Sequence, residues 1–337
     1  MPSKKLLNAA DDAVDEMLDG ALAAHPGLVR LEAHARAVAA ADGPREGKVG
    51  IVTGGGSGHE PAFFGYVGRG LADAAAVGNV FASPPPEPIL ACTRHVARGA
   101  GALYLYGNYA GDVMNFDMAA ELAALEGVEV RSVATTDDVA SAPKASAGER
   151  RGVAGNLFAF KAAGAAADRG ADLDGVERVA RAANAATATI GVALGACTLP
   201  HTRAPNFELG DDEMEIGMGV HGEPGVRRAP LASADAVVDE IVDALLEDLG
   251  AGRGERVATL VNSLGATTPM ELYVMNRRLS LRLADAGIDV HSARVGPYCT
   301  SLEMAGASIT LHRLDAELTE LLEHPCDAPA LRVDRSP

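Results

Sequence analysis

The sequence predicts an α/β protein made of two α/β domains, each a mixed or largely parallel sheet flanked by helices. Three observations carry this. Short apolar runs with β-branched residues alternate with segments long enough for helices, the pattern of strands joined by crossovers. The first such run, KVGIVT at 48–53, stops at a glycine cluster, as strands do at the ligand-binding edge of an open α/β sheet. The chain has 337 residues, room for two domains of ordinary size.

The elements follow in order. Residues 8–24 read as a helix, with Asn8 as its cap and Ala9, Val14, Met17, Leu18 and Leu22 at helical spacing. After the strand at 48–53, further strands are expected at 101–107, 128–135 and 189–194, with helices at 86–98, 115–126 and 151–169 between them. Beyond residue 185 the strand-like runs are 189–194, 214–220, 256–262, 289–295 and 307–313. Helices near 233–249 and 269–286 separate them. The polar segment HTRAPNFELGDDE at 201–213 reads as a loop. The expected domains are therefore 1–184 and 185–330, with a loosely packed tail at 331–337.

Composition narrows the function. Apolar residues make up 48% and charged residues 22%, a globular balance. Aromatics are only 4% and Trp is absent, which argues against base-stacking nucleic-acid binders. A net charge of −17 repels phosphate backbones and anionic lipid, so neither nucleic acid nor membrane is an expected partner. Of the 29 basic residues only Lys4, Lys5, Lys48, Lys144 and Lys161 are lysine, a bias seen with GC-rich coding and compatible with a salt-adapted surface. Cys92, Cys197, Cys299 and Cys326 form no CxxC pair, and the N-terminal stretch turns acidic where a leader needs an apolar run. A reduced, cytoplasmic protein is the expectation.

Three segments carry chemistry. GGGSGHEP at 54–61 has glycines that let backbone N–H groups converge on a ligand, with Ser57 and His59 adding polar side chains; its bland reading is a tight strand–helix turn. It is neither a P-loop, which needs its lysine, nor a GxGxxG fingerprint, so no nucleotide site is legible. GNYAGD at 107–112 ends a strand-like run. There Asp112 is placed to accept a proton from a hydroxyl, or to cap the next helix. GMGVHGEPG at 217–225 sets His221 among glycines, where its ring is approachable and a neutral imidazole nitrogen can add to a carbonyl carbon. His59, Glu60, Asp112, His221 and Glu223 carry metal-ligating atoms but show no HExxH spacing, and Ser57 is not in the GxSxG form of hydrolases.

Taken with NVFASP (79–84), RRGVAGN (150–156), GVALGACTLP (191–200), VNSLGAT (261–267), PYCTSLEMAG (297–306) and SITL (308–311), these segments resemble the substrate-binding subunit of dihydroxyacetone kinases, the DhaK family. The resemblance runs from the first helix to about residue 330. It implies a homodimer of two-domain α/β chains in which His221 binds a short ketose covalently as a hemiaminal. It further implies that His59 hydrogen-bonds the substrate, that Asp112 is the general base on the terminal hydroxyl, and that Gly56, Ser57, Ser83 and Asn108 line the site. No cofactor is expected on this chain. ADP or ATP with magnesium would sit on a DhaL-type partner subunit, recharged in one branch of the family by a DhaM-type phosphocarrier. Addition needs the neutral imidazole, so capture should weaken in acid.

One departure bears on substrate. Many relatives have Lys before NYxGD, and this chain has Gly107. The lost charge-assisted hydrogen bond is worth about 1.5–3 kcal/mol. A four-carbon ketose such as erythrulose, or a pocket served instead by Tyr106 or Tyr109, would fit the change. A non-catalytic dihydroxyacetone-sensing co-activator is the other alternative. It would need His221 but not Asp112.

Overall fold

The computed structural model describes residues 4–334. Its first half runs α1 (Ala13–Ala24), β1 (Leu28–Arg30), β2 (Ala37–Ala40), β3 (Gly50–Ser57), β4 (Ala74–Val80), α2 (Pro86–Val96), β5 (Ala102–Gly107), α3 (Ala110–Leu125), β6 (Val130–Thr135), α4 (Asn156–Asp168) and α5 (Leu173–Ala185). There follow β7 (Thr187–Gly195), β8 (Glu213–Ile216), β9 (Arg227–Pro230), α6 (Ala234–Leu249), β10 (Arg256–Ser263), α7 (Pro269–Ala286), β11 (Asp289–Gly296), β12 (Ala305–Leu314), α8 (Ala316–Glu323), β13 (Cys326–Ala328) and β14 (Leu331–Val333). No described helix is long and apolar enough to cross a membrane. The four cysteines are buried.

The chain forms two compact units. One holds Lys5–Thr135, Leu157–Ala183 and the chain from Leu318 onward; the other holds Thr136–Asn156 and Asn184–Glu317. The expected domains, 1–184 and 185–330, are each one continuous stretch, and the structure departs from that. Residues 136–156 join the second unit because they pair with β7: Thr189 N–H donates to Asp137 O at 2.7 Å and Val139 N–H to Thr189 O at 3.1 Å. The C-terminal segment joins the first unit. Asp327 N–H donates to Arg69 O and Ala330 N–H to Gly65 O, both at 2.9 Å, and the buried Lys161 ammonium donates to Leu321 O at 2.7 Å. The expected loose tail is a short hairpin as far as Val333, with Leu331 buried. Residues 335–337 of that tail lie outside the described ones.

The first unit's sheet has the order β1-β2-β4-β3-β5-β6. Its strands β4, β3, β5 and β6 are parallel, and β1 and β2 add an antiparallel edge. The chain passes from β3 to β4 on one side, then crosses over by α2 to β5 on the other. Parallel strands align their carboxyl ends, so the loops after β3, β4 and β5 share one edge, where open α/β sheets bind ligands. Val52, Ile89, Tyr104, Phe116 and Ala119 form the core between sheet and helices.

The second unit's sheet has the order β11-β10-β12-β7-β8-β9 and only one parallel pair, β10 with β11, joined by the crossover helix α7. Its core includes Ile190, Val257, Ile309, Ile241 and Leu279. Capping is legible in this unit. A reciprocal Thr268–Glu271 box opens α7, and Gly287, at φ 72°, closes it in the left-handed conformation that glycine adopts freely.

Two local expectations shift. The first helix starts at Ala13 rather than at the Asn8 cap, because Asn8 Nδ2 donates forward to the Glu16 carboxylate at 2.9 Å. The strand expected at 48–53 is the third, after β1 and β2, and does not stop at Thr53 but runs on through the glycines to Ser57.

Candidate functional site

The glycine run is strand, and its lack of side chains is a packing requirement. A Cβ on Gly54 would lie 2.6 Å from Ala76 O, one on Gly55 2.1 Å from the Phe63 ring, and one on Gly56 2.7 Å from Ala82 N. Only Gly58, at φ 97°, turns the chain through a left-handed residue. The Ser57 hydroxyl is buried and donates to Gly78 O at 2.8 Å, tying β3 to the end of β4. His59 follows the turn, 3% exposed, with its ring stacked on Phe81 at a centroid distance of 5.0 Å. Glu60 turns back so that both its carboxylate oxygens accept the Gly58 N–H, at 2.9 and 3.1 Å. Burial pushes the Glu60 carboxyl upward, against those backbone hydrogen bonds.

The loops after β4 and β5 supply the rest of this edge. Ser83 Oγ accepts from Asn115 Nδ2 at 3.2 Å, which ties the 79–84 segment to α3. Asn108 N–H donates to Thr135 O at 3.1 Å as the chain leaves β5. Asp112 stands in the first turn of α3, half-buried, where the helix dipole favours a carboxylate. It is not the cap: Tyr109 holds that position and makes no side-chain cap hydrogen bond. Thus Gly56, Ser57, His59, Ser83, Asn108 and Asp112 all stand in one unit, in or just after the carboxyl ends of parallel strands.

His221 stands in the other unit, on the turn between β8 and β9. Gly217 and Gly222 take φ values of 80° and 87°, so this glycine pattern does serve the backbone conformation of a turn. The Glu223 carboxylate holds the histidine at two points: Oε2 accepts the His221 backbone N–H at 2.9 Å, and Oε1 lies 2.8 Å from Nδ1. A carboxylate accepts only, so Nδ1 carries a proton, and in the neutral form of the ring the lone pair is then on Nε2. Asn206, from the polar 201–213 loop, donates Nδ2–H to His221 O at 2.9 Å. Behind Glu223 stands Arg151. Its guanidinium lies 3.8 Å from Glu223 Oε2, pairs with Asp138 at 2.8 Å and donates to Gly217 O at 3.0 Å. Burial works against the Glu223 charge, but the hydrogen bond and charge of His221 outweigh it and hold the carboxyl at about 2.

The Dak1 domain family model matches residues 19–330. The chain belongs to the Dak1 family.

This Dak1 chain is 49% identical to a Listeria innocua protein named PTS-dependent dihydroxyacetone kinase 2, dihydroxyacetone-binding subunit DhaK, over 98% of this chain and 100% of that one. It is 44% identical to an L-erythrulose kinase of Pectobacterium atrosepticum over 97% of this chain, which spans 56% of that protein's length. The solved structure of a dihydroxyacetone kinase operon co-activator, Dha-DhaQ, superposes with a TM-score of 0.88 at 33% identity, covering 96% of this chain and 99% of that one.

Within this Dak1 chain two tyrosines beside the departing Gly107 part company. Tyr106 is 2% exposed, its ring stacked 4.2 Å from Phe116, and burial pushes its hydroxyl up to about 12. Tyr106 packs in the hydrophobic core of its unit, with the Asp117 and Asp112 charges adding to the upward push on its hydroxyl. Tyr109, at the start of α3, is half-buried. Sequence reasoning weighed Glu223 only as a metal-ligating atom and passed over Phe81 and Arg151. Among the described residues no three His, Cys, Asp or Glu side chains are grouped to hold a metal ion. The signal for Glu223 was present in its two-residue spacing from His221 within a glycine turn. Phe81 and Arg151 act across the fold and left no such signal.

Proposed function

We propose that this chain is the dihydroxyacetone-binding subunit of a dihydroxyacetone kinase, a phosphotransferase with an alcohol acceptor. The observation that carries the chemistry is the His221 Nδ1–Glu223 Oε1 contact of 2.8 Å, which leaves Nε2 as the nucleophile. The Nε2 lone pair adds to the ketose carbonyl carbon, the carbonyl π electrons move to oxygen, and that oxygen takes a proton to give a hemiaminal. The ring becomes positive as the bond forms, next to a carboxylate already held ionised. Small polyols offer little apolar area, so a covalent bond supplies affinity that contacts cannot. It also rejects glycerol, which has no carbonyl carbon.

Asp112 then takes the proton of the terminal hydroxyl as its oxygen attacks phosphorus, and the phosphoryl group leaves its donor. His59 hydrogen-bonds the substrate, with Gly56, Ser57, Ser83 and Asn108 as further contacts. The donor is ATP with magnesium on a DhaL-type subunit, either exchanged directly or regenerated from bound ADP by a DhaM-type phosphocarrier where the phosphate derives from phosphoenolpyruvate. A cytoplasmic homodimer is part of the same proposal. Support for these finer assignments is the 49% identity to a DhaK-type subunit over 98% of this chain, together with the motifs that carry the resemblance.

Gly107 and the erythrulose-kinase relative favour a second reading, in which the ketose has four carbons. Intact-protein mass spectrometry after incubation with dihydroxyacetone or erythrulose tests both readings. Wild type should gain one ketose mass, and His221→Ala none. Preferential labelling by erythrulose would assign Gly107 a part in substrate length. No adduct with either ketose would overturn the covalent reading.

A further inference from the structure

Phe81 occupies a backbone conformation that favours glycine. Its φ is 55°, and among the described non-glycine residues only Arg203 and Leu302 share that region. Ala82 N–H donates to Asn79 O at 3.0 Å, so Phe81 is the third residue of a turn, where positive φ ordinarily recruits glycine or asparagine. A bulky aromatic there is strained and persists only when its surroundings hold it.

The surroundings are the glycine segment. Phe81 N–H donates to Ser57 O at 2.9 Å, and a Cβ on Gly56 would come within 3.0 Å of Phe81 Cα. With the backbone clamped so, the Phe81 ring lies face to face with the His59 imidazole, 5.0 Å between centroids and 16° between planes. Glycine would remove the strain but also the ring.

We propose that Phe81 is a positioning residue that fixes the plane of the His59 imidazole for phosphoryl transfer. This rests on the assignment of His59 to the ketose made above. A near-parallel ring blocks rotation of the imidazole about its Cβ–Cγ bond while leaving its nitrogens in plane to meet a hydroxyl. An aliphatic side chain of similar volume has no flat face to do this.

The test has two arms. In histidine-labelled protein, with the His59 signals assigned through His59→Gln, the wild-type imidazole protons should show the upfield ring-current shift of a stack. That shift should vanish in Phe81→Gly and return in Phe81→Tyr. With the partner subunit and nucleotide supplied, kcat should fall about tenfold to hundredfold in both Phe81→Gly and Phe81→Leu, recover in Phe81→Tyr, and leave the His221 adduct intact. Unmoved His59 resonances in Phe81→Gly, or wild-type turnover in Phe81→Leu, would overturn the proposal. Should Phe81→Gly fail to fold, Phe81→Leu decides by the same two readouts. A wild-type protein that captures no ketose overturns the functional reading instead, and the resonance shift still decides whether the stack exists.

Discussion

Two loops of this chain carry nearly the same letters, GHEP at 58–61 and HGEP at 221–224, and use them in opposite ways. In the first, Glu60 folds back on its own backbone, burial pushes its carboxyl up, and the histidine is buried against an aromatic ring. In the second, Glu223 grips the histidine itself and its carboxyl is held at about 2. One residue of difference decides this. Glu60 directly follows His59, whereas Gly222 separates Glu223 from His221 and turns at φ 87°, which lets the carboxylate reach back to both Nδ1 and the backbone N–H. One carboxylate holds its own loop's backbone; the other holds the histidine that the proposed function makes the nucleophile.

Four substitutions sharpen that contrast. The largest effect is expected of His221→Ala, which removes the adduct altogether. Next comes Asp112→Asn: turnover with a partner should drop about 10²–10⁴-fold while capture persists. Sensor function needs no base, so a wild type that captures ketose yet never turns over would favour the co-activator alternative.

Glu223→Gln comes third. It removes a charge-assisted hydrogen bond worth about 1.5–3 kcal/mol, so capture should weaken about tenfold to hundredfold. It should also change the acid profile. A carboxyl held at about 2 contributes stability that is complete above the usual carboxylate range and is lost as pH falls from there through about 2. Denaturation followed across that window should show a shallower loss in Glu223→Gln than in wild type. An identical profile would mean that the His221–Glu223 contact does not persist in solution.

The smallest effect belongs to Glu60→Gln. The amide oxygen can still accept the Gly58 N–H, and the cost of a buried charge disappears. A raised carboxyl pKa means that folded protein loses stability as pH rises through the interval between the usual and the raised value. Glu60→Gln should therefore match or exceed wild-type stability at neutral pH by up to about 1 kcal/mol, with capture unchanged. A loss of capture comparable to that of Glu223→Gln would erase the distinction between the loops.

The candidate site residues on the first unit could be grouped from the sequence because their placement follows local rules. Parallel strands joined by helices place the loops after β3 and β5 at one sheet edge, so Gly56, His59 and Asp112 could be picked out together without coordinates. What the letters did not show is what each glycine is for. Gly54, Gly55 and Gly56 read as a ligand-cradling loop, yet they are strand residues kept bare by Ala76, Phe63 and Ala82, whose approach comes from the fold. Helix α5 was missed although Leu173, Val176, Val179, Ala180 and Ala183 recur at helical spacing, because a boundary was expected at the same place.

The sequence by itself determined the α/β class, the alternation of elements, the acidic surface and the family. The first three depend on backbone propensity, hydrophobic period and composition, which act over a few residues or over the whole chain; the family rested on the resemblance carried by motifs such as GGGSGHEP and GNYAGD. Only the tertiary structure decided that the chain passes between units at 136–156 and again at 318. It alone turned Tyr106 into the core, set Phe81 against His59, and gave Glu223 rather than Glu60 to a histidine. Each of those outcomes is a pairing, or a choice between two pairings, whose energy arises only when the chain has folded, so no window of sequence contains it.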